Sequence, residues 1–390
     1  MRGQSPKICF ITTVSITMKS FILDVAKFLH EHKNYDITFI CSDDSTFKDS
    51  LPLYIHYHPI RMRRGINLDG IKAIIQMIRL FRKEQYDIIQ YSTPNASCYA
   101  SIAAWVSRMP IRLYCQWGIA YVGFSGLKRT IFKNIEKLVC LLSTHIEPDS
   151  FSNLQYSIQE GLYKPDKGSV IWNGSSKGVN LNIFDISRKK EWRSEIREQY
   201  SINDYDIAIG FVGRINRDKG INELLYAFKK VSEDNPSIKL LIVGNIEDKT
   251  QIEPEIYQWS LLTKQVIYCG FQKYIEKYLS AMDIFVLPSY REGFPNAVLE
   301  AEAMGVSVVV TDIPGCRDAM MDQETGILIK AKDSITLAHV LEKLILCSDK
   351  RILMGKNGHQ FVEGKFEQRK IFEYIKNDRD LLLKNIRKSK

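Results

Sequence analysis

The chain has 390 residues, 45% apolar, 25% charged and 11% aromatic, with a formal charge of +9. That length exceeds one ordinary hydrophobic core and suits two domains, and the composition excludes a disordered chain. The eight cysteines, at 9, 41, 98, 115, 140, 269, 316 and 347, form no Cys-x-x-Cys pair and no cluster with histidine, so no zinc site is expected and a reducing compartment is.

At the N-terminus, MRGQSPKICFITTVS has one short apolar run broken by Thr and Ser, too little for the core of a secretory signal. No stretch reaches about 18 consecutive apolar residues, so no membrane span is expected. Strand candidates follow in order: KICFITT from Lys7, YDITFICS from Tyr35, YDIIQYST from Tyr86, RLYCQWG from Arg112 and GSVIWNG from Gly168. A second series comprises DIAIGFVG from Asp206, KLLIVGN from Lys239, QVIYCGF from Gln265, DIFVLPS from Asp283 and VSVVVTD from Val306. Short β-branched and aromatic runs alternating with helical patterns predict βαβ units and parallel sheets. The polar, charge-rich segment between the two series places a boundary near residue 185. The expected organisation is an N-terminal domain over 1–185, a C-terminal domain over 186–370, and a basic helix over 371–390 packing back on the first domain.

Between Arg61 and Lys83, Arg61, Arg63, Arg64, Lys72, Arg79, Arg82 and Lys83 stand against the single acid Asp69, interleaved with Ile71, Ile74, Ile75, Ile78 and Phe81. LKRTIFKNIEKLVCLL from Leu127 is a second basic amphipathic stretch. Such helices suit an anionic membrane surface; packing on a sheet with a solvated basic face is the alternative.

In doubly wound sheets ligands bind beyond the carboxyl ends of the strands. After DIAIGFVG the chain reads GRINRDKG before a helical pattern. Arg214 and Lys219 beside a helix N-terminus fit a diphosphate, because exposed amides and the helix dipole add to the two cations. After DIFVLPS comes YREGFPNAVLEAEAMG, with Glu292 in the turn, Glu300 in the helix and Pro295 and Asn296 at the helix start. Carboxylates at that separation accept paired bonds from the hydroxyls of a ribose and a hexose. Glu302 reads as an ordinary exposed acid on the same helix.

GRINRDKG and PSYREGFPNAVLEAEAMGVSVVVTDIPGCRD, with Gly213 and Glu292 separated by 79 positions (292 − 213), resemble the signature of family 4 of the retaining glycosyltransferases. VIWNG, KLLIVGN and YCGF extend the resemblance over residues 168 to about 330. It implies the GT-B fold, α/β, with two doubly wound Rossmann-like domains whose parallel sheets face each other across a cleft. It implies a nucleotide-sugar donor, taken as UDP-linked and bound by residues 186–370, and a hydroxyl of a lipid-linked or polysaccharide acceptor bound by residues 1–185. Arg214 and Lys219 then hold the donor diphosphate, Glu292 the transferred sugar and Glu300 the ribose. Gly213, Gly293, Phe294, Pro295 and Asn296 lie against phosphate or sugar, and Gly270 and Phe271 near the base. No cofactor, no metal and no nucleic-acid partner are expected. A cytoplasmic protein attached peripherally to the membrane is.

The N-terminal half departs from the family pattern. Where many relatives carry a Gly-Gly turn after the first strand, this chain has TTVSITMKSF with Lys19 as its only charge, and Trp117, followed by Gly118, occupies the position of the family histidine. Lys19, Trp117, Gly118 and His145 are the acceptor candidates. His145 and Glu147, in STHIEPDS, lie beyond a later strand candidate where they line the cleft, although a satisfied, partly buried side chain is the favoured reading of His145. Asp149 is read either as a helix cap or as an acceptor contact. A nucleotide-sugar epimerase of the same fold and a nucleotide-sugar-binding protein without chemistry are the alternative functions.

Overall fold

The computed structural model describes residues 5–62, 68–233 and 235–389. Arg63 and Arg64 of the first basic stretch lie outside them. The chain divides into two compact units, one formed by residues 1–177 together with 369–390 and the other by residues 178–368.

The first unit carries β1 (Lys7–Ile11), β2 (Asp36–Cys41), β3 (Ile55–Pro59), β4 (Ile88–Tyr91), β5 (Ile111–Gln116) and β6 (His145–Pro148). All are parallel, in the order β3-β2-β1-β4-β5-β6. The second unit repeats this plan with β7 (Ile207–Val212), β8 (Ile238–Val243), β9 (Val266–Gly270), β10 (Ile284–Leu287), β11 (Ser307–Thr311) and β12 (Gly326–Ile329), ordered β12-β11-β10-β7-β8-β9. Both are the doubly wound parallel sheets that the apolar runs predict. The order reverses between β1 and β4 in one sheet and between β7 and β10 in the other, which makes each pair a topological switch point. β4, β10 and β11 are buried along their whole length, as strands covered by helices on both faces must be.

Two details differ from the sequence reading. GSVIWNG is no strand: only Gly168 bridges to Ile146, and the segment leaves the sheet through positive φ at Trp172 and Ser175. His145 and Glu147 lie within β6 rather than beyond a strand. The terminal helix, Gln368–Ser389, packs into the first unit through a buried guanidinium. Arg379 pairs with Glu147 on β6 at 2.5 Å and donates to the Gln90 Oε1 of β4 at 3.1 Å. Tyr35 donates to Asp380 at 3.2 Å, so three contacts fix the helix across the sheet. Removing one member of such a buried pair leaves an uncompensated charge.

Glu302 overturns its expected exposure. It is 0% exposed on the helix Asn296–Ala303, which the helix Ser348–Lys365 covers so closely that a Cβ on Gly358 would sit 3.1 Å from the Glu302 side chain. Neither carboxyl oxygen has a hydrogen-bond partner among the described residues; the nearby Thr325 hydroxyl donates to the Met321 carbonyl at 3.5 Å instead. Burial therefore pushes this carboxyl well above the usual carboxylate range. The unfolded chain ionises Glu302 above about pH 4.3 while the folded chain holds it neutral, so stability falls by roughly 1 kcal/mol per pH unit from there up to the raised folded pKa. Glu302→Met, of similar volume and without the carboxyl, is expected to raise the melting temperature, with a larger gain at pH 8 than at pH 5. Thermal melts at the two pH values check this; an equal gain, or a loss at pH 8, contradicts the burial of an unpartnered carboxyl.

Candidate active site

Adjacency of β7 and β10 decides which loops meet. Residues 213–220 leave the end of β7 and residues 288–296 the end of β10, at the switch point. Asn216 opens the short turn Arg217–Lys219 by accepting from the Lys219 amide at 3.1 Å. Gly220 closes it with φ +72, and a Cβ there would meet the Pro288 carbonyl oxygen at 2.0 Å, so only glycine lets the loops approach this closely. The Tyr290 amide then donates to the Asp218 carbonyl at 2.8 Å. A backbone lacing extends the site across the next strands: Gly213 N–H donates to Val243, Ile215 to Asn245 at 2.9 Å, and Gly244 to Gly270 at 2.8 Å.

On this scaffold Lys219 Nζ lies 2.5 Å from Glu292 Oε1, the two side chains only 20% and 10% exposed. Arg214 stands in the open, its Nη1 2.8 and 2.9 Å from the oxygens of Glu247. Asn216 Nδ2 donates to the same Glu247 at 2.6 Å, so one residue holds both the Lys219 turn and the partner of Arg214. Arg291 holds Asp218 through Nε at 3.0 Å and Nη2 at 2.6 Å. Glu300 is buried on the helix Asn296–Ala303, which Pro295 precedes. Gly293, Phe294, Pro295 and Asn296 form the entry to that helix, with Phe294 buried and its ring 5.3 Å from that of Phe366. Gly270, φ +67 with open space beside it, ends β9, and Phe271 follows it, 69% exposed. Two cations, a helix start and the Glu292 carboxylate thus lie at one sheet end, which suits an anionic group joined to a polyol. Among the described residues no group of three or more His, Cys, Asp and Glu is placed to hold a metal ion.

In the first unit Trp117 and Gly118 follow β5, and Gly118 has φ +90. The Trp117 ring lies 5.4 Å from that of Phe21, which Lys177 Nζ approaches to 5.9 Å. Lys19 is exposed on the helix Ser15–Phe21. His145 does not join them: it is the first residue of β6, at the amino end of the strand, its Nδ1 3.0 Å from the Thr144 hydroxyl and its pKa lowered by burial. It is the partly buried, satisfied histidine that the sequence also allowed. Asp149 does not cap the following helix; Ser150 does, and Asp149 accepts from Asn153 Nδ2 at 3.1 Å.

Glu247, Asp218 and Arg291 were not singled out in the sequence. The available signal for Glu247 was an acid in the turn beyond KLLIVGN, and for the other two their adjacency to Lys219 and Glu292.

Residues 193–361 match the family of glycosyl transferases group 1, and residues 7–147 the glycosyl transferase 4-like family. The capsular polysaccharide biosynthesis glycosyltransferase CapM of Staphylococcus aureus is 32% identical over 384 residues, 98% of either chain. The UDP-Gal:alpha-D-GlcNAc-diphosphoundecaprenol alpha-1,3-galactosyltransferase of Escherichia coli is 26% identical over 89% of both chains. The crystal structure of Anabaena Alr3699/HepE in complex with UDP and glucose shares the fold at a TM-score of 0.78 and 19% identity, covering 96% of this chain and 99% of that one. With its doubly wound sheets and a near full-length relative at 32% identity, the chain belongs to the group 1 glycosyltransferases of GT-B fold.

Proposed function

We propose that this enzyme transfers a hexose-type residue from a UDP-sugar to a hydroxyl of a lipid-linked saccharide, with retention of anomeric configuration and without a metal. The observation that carries the reading is the meeting of Lys219 and Glu292 beside Arg214 at the β7–β10 switch point. Breaking the bond between the anomeric carbon and its phosphate oxygen leaves negative charge on the diphosphate and positive charge on the sugar ring. Lys219 and Arg214 meet the first, which is the main catalytic requirement. Glu292, already paired with Lys219, stands where the sugar joins the diphosphate, and buried Glu300 takes the ribose. The acceptor hydroxyl bonds to the anomeric carbon and gives its proton to the departing phosphate oxygen, so no carboxylate nucleophile is required. Two cations and the dipole at the start of the helix Asn296–Ala303 balance the diphosphate charge, the part a divalent ion plays elsewhere.

The acceptor class is supported by the Escherichia coli relative and by the N,N'-diacetylbacillosaminyl-diphospho-undecaprenol alpha-1,3-N-acetylgalactosaminyltransferase of Campylobacter jejuni, 26% identical over 91% of this chain. Trp117, Gly118, Phe21, Lys177 and Lys19 offer an aromatic and cationic surface for it at the ligand end of the first sheet. No helix among the described residues is long and apolar enough to cross a membrane. The helix Gly126–Leu142 instead exposes Leu127, Ile131, Leu138 and Leu141, spaced as one stripe, beside exposed Lys128 and Lys137. On the helix Leu68–Glu84, Phe81 is core and Ile74 and Ile78 pack against the core, but Ile71 and Ile75 remain exposed next to Lys72, Arg79, Arg82 and Lys83. Apolar stripes edged by cations support peripheral attachment to the anionic cytoplasmic surface of the membrane, where a lipid-linked acceptor resides.

Proton NMR of fresh product formed from a UDP-hexose in the presence of EDTA is expected to reveal the donor's own anomeric configuration at an undiminished rate. An inverted anomer, or turnover restored only by Mg²⁺ or Mn²⁺, contradicts the proposal. In flotation assays the chain is expected to bind phosphatidylglycerol vesicles at low salt, to release at high salt, and to lose binding with Lys128→Glu and Lys137→Glu combined, each basic residue contributing about 1 kcal/mol. Equal recovery with phosphatidylcholine vesicles contradicts membrane attachment through this face.

A further inference from the structure

Lys219 and Glu292 are flanked by a second ion pair one residue earlier on each loop. Asp218 and Arg291 meet at 2.6 Å, Lys219 and Glu292 at 2.5 Å, and both pairs join positions 73 apart. The polarity alternates: in 218–291 the acid lies on the β7 loop, and in 219–292 it lies on the β10 loop. A slip of one residue between the loops would set Asp218 against Glu292, or Lys219 against Arg291, and like charges face to face are unfavourable. Two further ties hold the same register, the Tyr290 amide on the Asp218 carbonyl at 2.8 Å and the Tyr290 hydroxyl on Glu223 Oε1 at 2.5 Å. Asp218 and Arg291 are themselves 44% and 36% exposed, and ion pairs at that exposure contribute little to folding.

We propose that Asp218 and Arg291 are positioning residues for the donor site. Their ion pair fixes the register of the two loops so that the Lys219 ammonium and the Glu292 carboxylate stand at the junction of diphosphate and sugar. This rests on the donor-site reading given above. It requires no contact of either residue with substrate. A misplacement of about 1 Å at a charge-stabilising group costs up to roughly 10²-fold, so register matters far more to diphosphate binding than to stability.

The test uses the full-length chain and free nucleoside diphosphates, whose terminal phosphate carries the charge that the donor develops only as its bond breaks. UDP, GDP, TDP and ADP are titrated calorimetrically, and the one that the wild-type chain binds is used throughout. Asp218→Arg and Arg291→Asp are each expected to weaken its binding by roughly tenfold or more, while the melting temperature without ligand stays within about 3 °C of wild type. The double exchange, Asp218→Arg with Arg291→Asp, restores opposite charges and is expected to recover binding to within about threefold of wild type. Wild-type binding in both single variants overturns the proposal. So does a double exchange no better than the weaker single variant, or a melting temperature that falls in step with binding. Lys219→Ala separates the two levels: weakened binding there with silent exchanges removes only the positioning role, whereas unchanged binding in Lys219→Ala, or a wild-type chain that binds none of the four, removes the donor site and the positioning role with it.

Discussion

Everything at the C-terminal sheet end turns on the contact between the Lys219 ammonium and the Glu292 carboxylate. The two groups belong to loops far apart in sequence, and they meet because β7 and β10 lie side by side where the strand order reverses. Gly220 lets the loops touch, Asn216 shapes the turn, and the Asp218–Arg291 pair fixes their offset. A cation held against a carboxylate at a sheet's ligand end, beside a helix start, is preorganised for a substrate that separates into an anion and a cationic ring. That arrangement supports the proposed chemistry more strongly than either charge alone, since a lone surface Lys or Glu carries little information.

The first unit is held by a different interaction. The guanidinium of Arg379 reaches from the last helix into the sheet, where Glu147 and Gln90 receive it. The helix closes the unit from a remote part of the sequence. Glu147, which the sequence placed near a ligand, spends its charge there and belongs to the structure rather than to the acceptor surface.

Much of the fold was legible because parallel strands covered on both faces read as unbroken apolar runs, as in IIQY of β4 and SVVVT of β11. Three of the four edge strands were not; β9, within QVIYCGF, was. β3, IHYHP, is polar and half exposed, and β12 is only four residues long, so neither stands out from a loop. GSVIWNG carried a strand's composition, yet the neighbouring edge, β6, is also only four residues long and offers it a single bridge. In the candidate site, Lys219, Glu292 and Glu300 were singled out by strand ends and motif spacing. Glu247 and Arg291 were not, because a charged residue in a turn leaves the same trace whether it is solvated or holds another side chain. Glu302 was misread for a packing reason: every residue from Val298 to Ala303 is buried, so the helix has no exposed face and its acids follow no amphipathic period.

If Lys219 stabilises charge that appears only as the glycosyl–phosphate bond breaks, its loss acts on the chemical step and spares binding of the intact donor. The most direct measurement is therefore steady-state kinetics of Lys219→Ala against wild type with a UDP-sugar varied at saturating acceptor. A fall in kcat of roughly 10²- to 10³-fold with a KM for donor changed only a few-fold is the predicted result. A kcat close to wild type, or a loss confined to KM, would contradict the assignment.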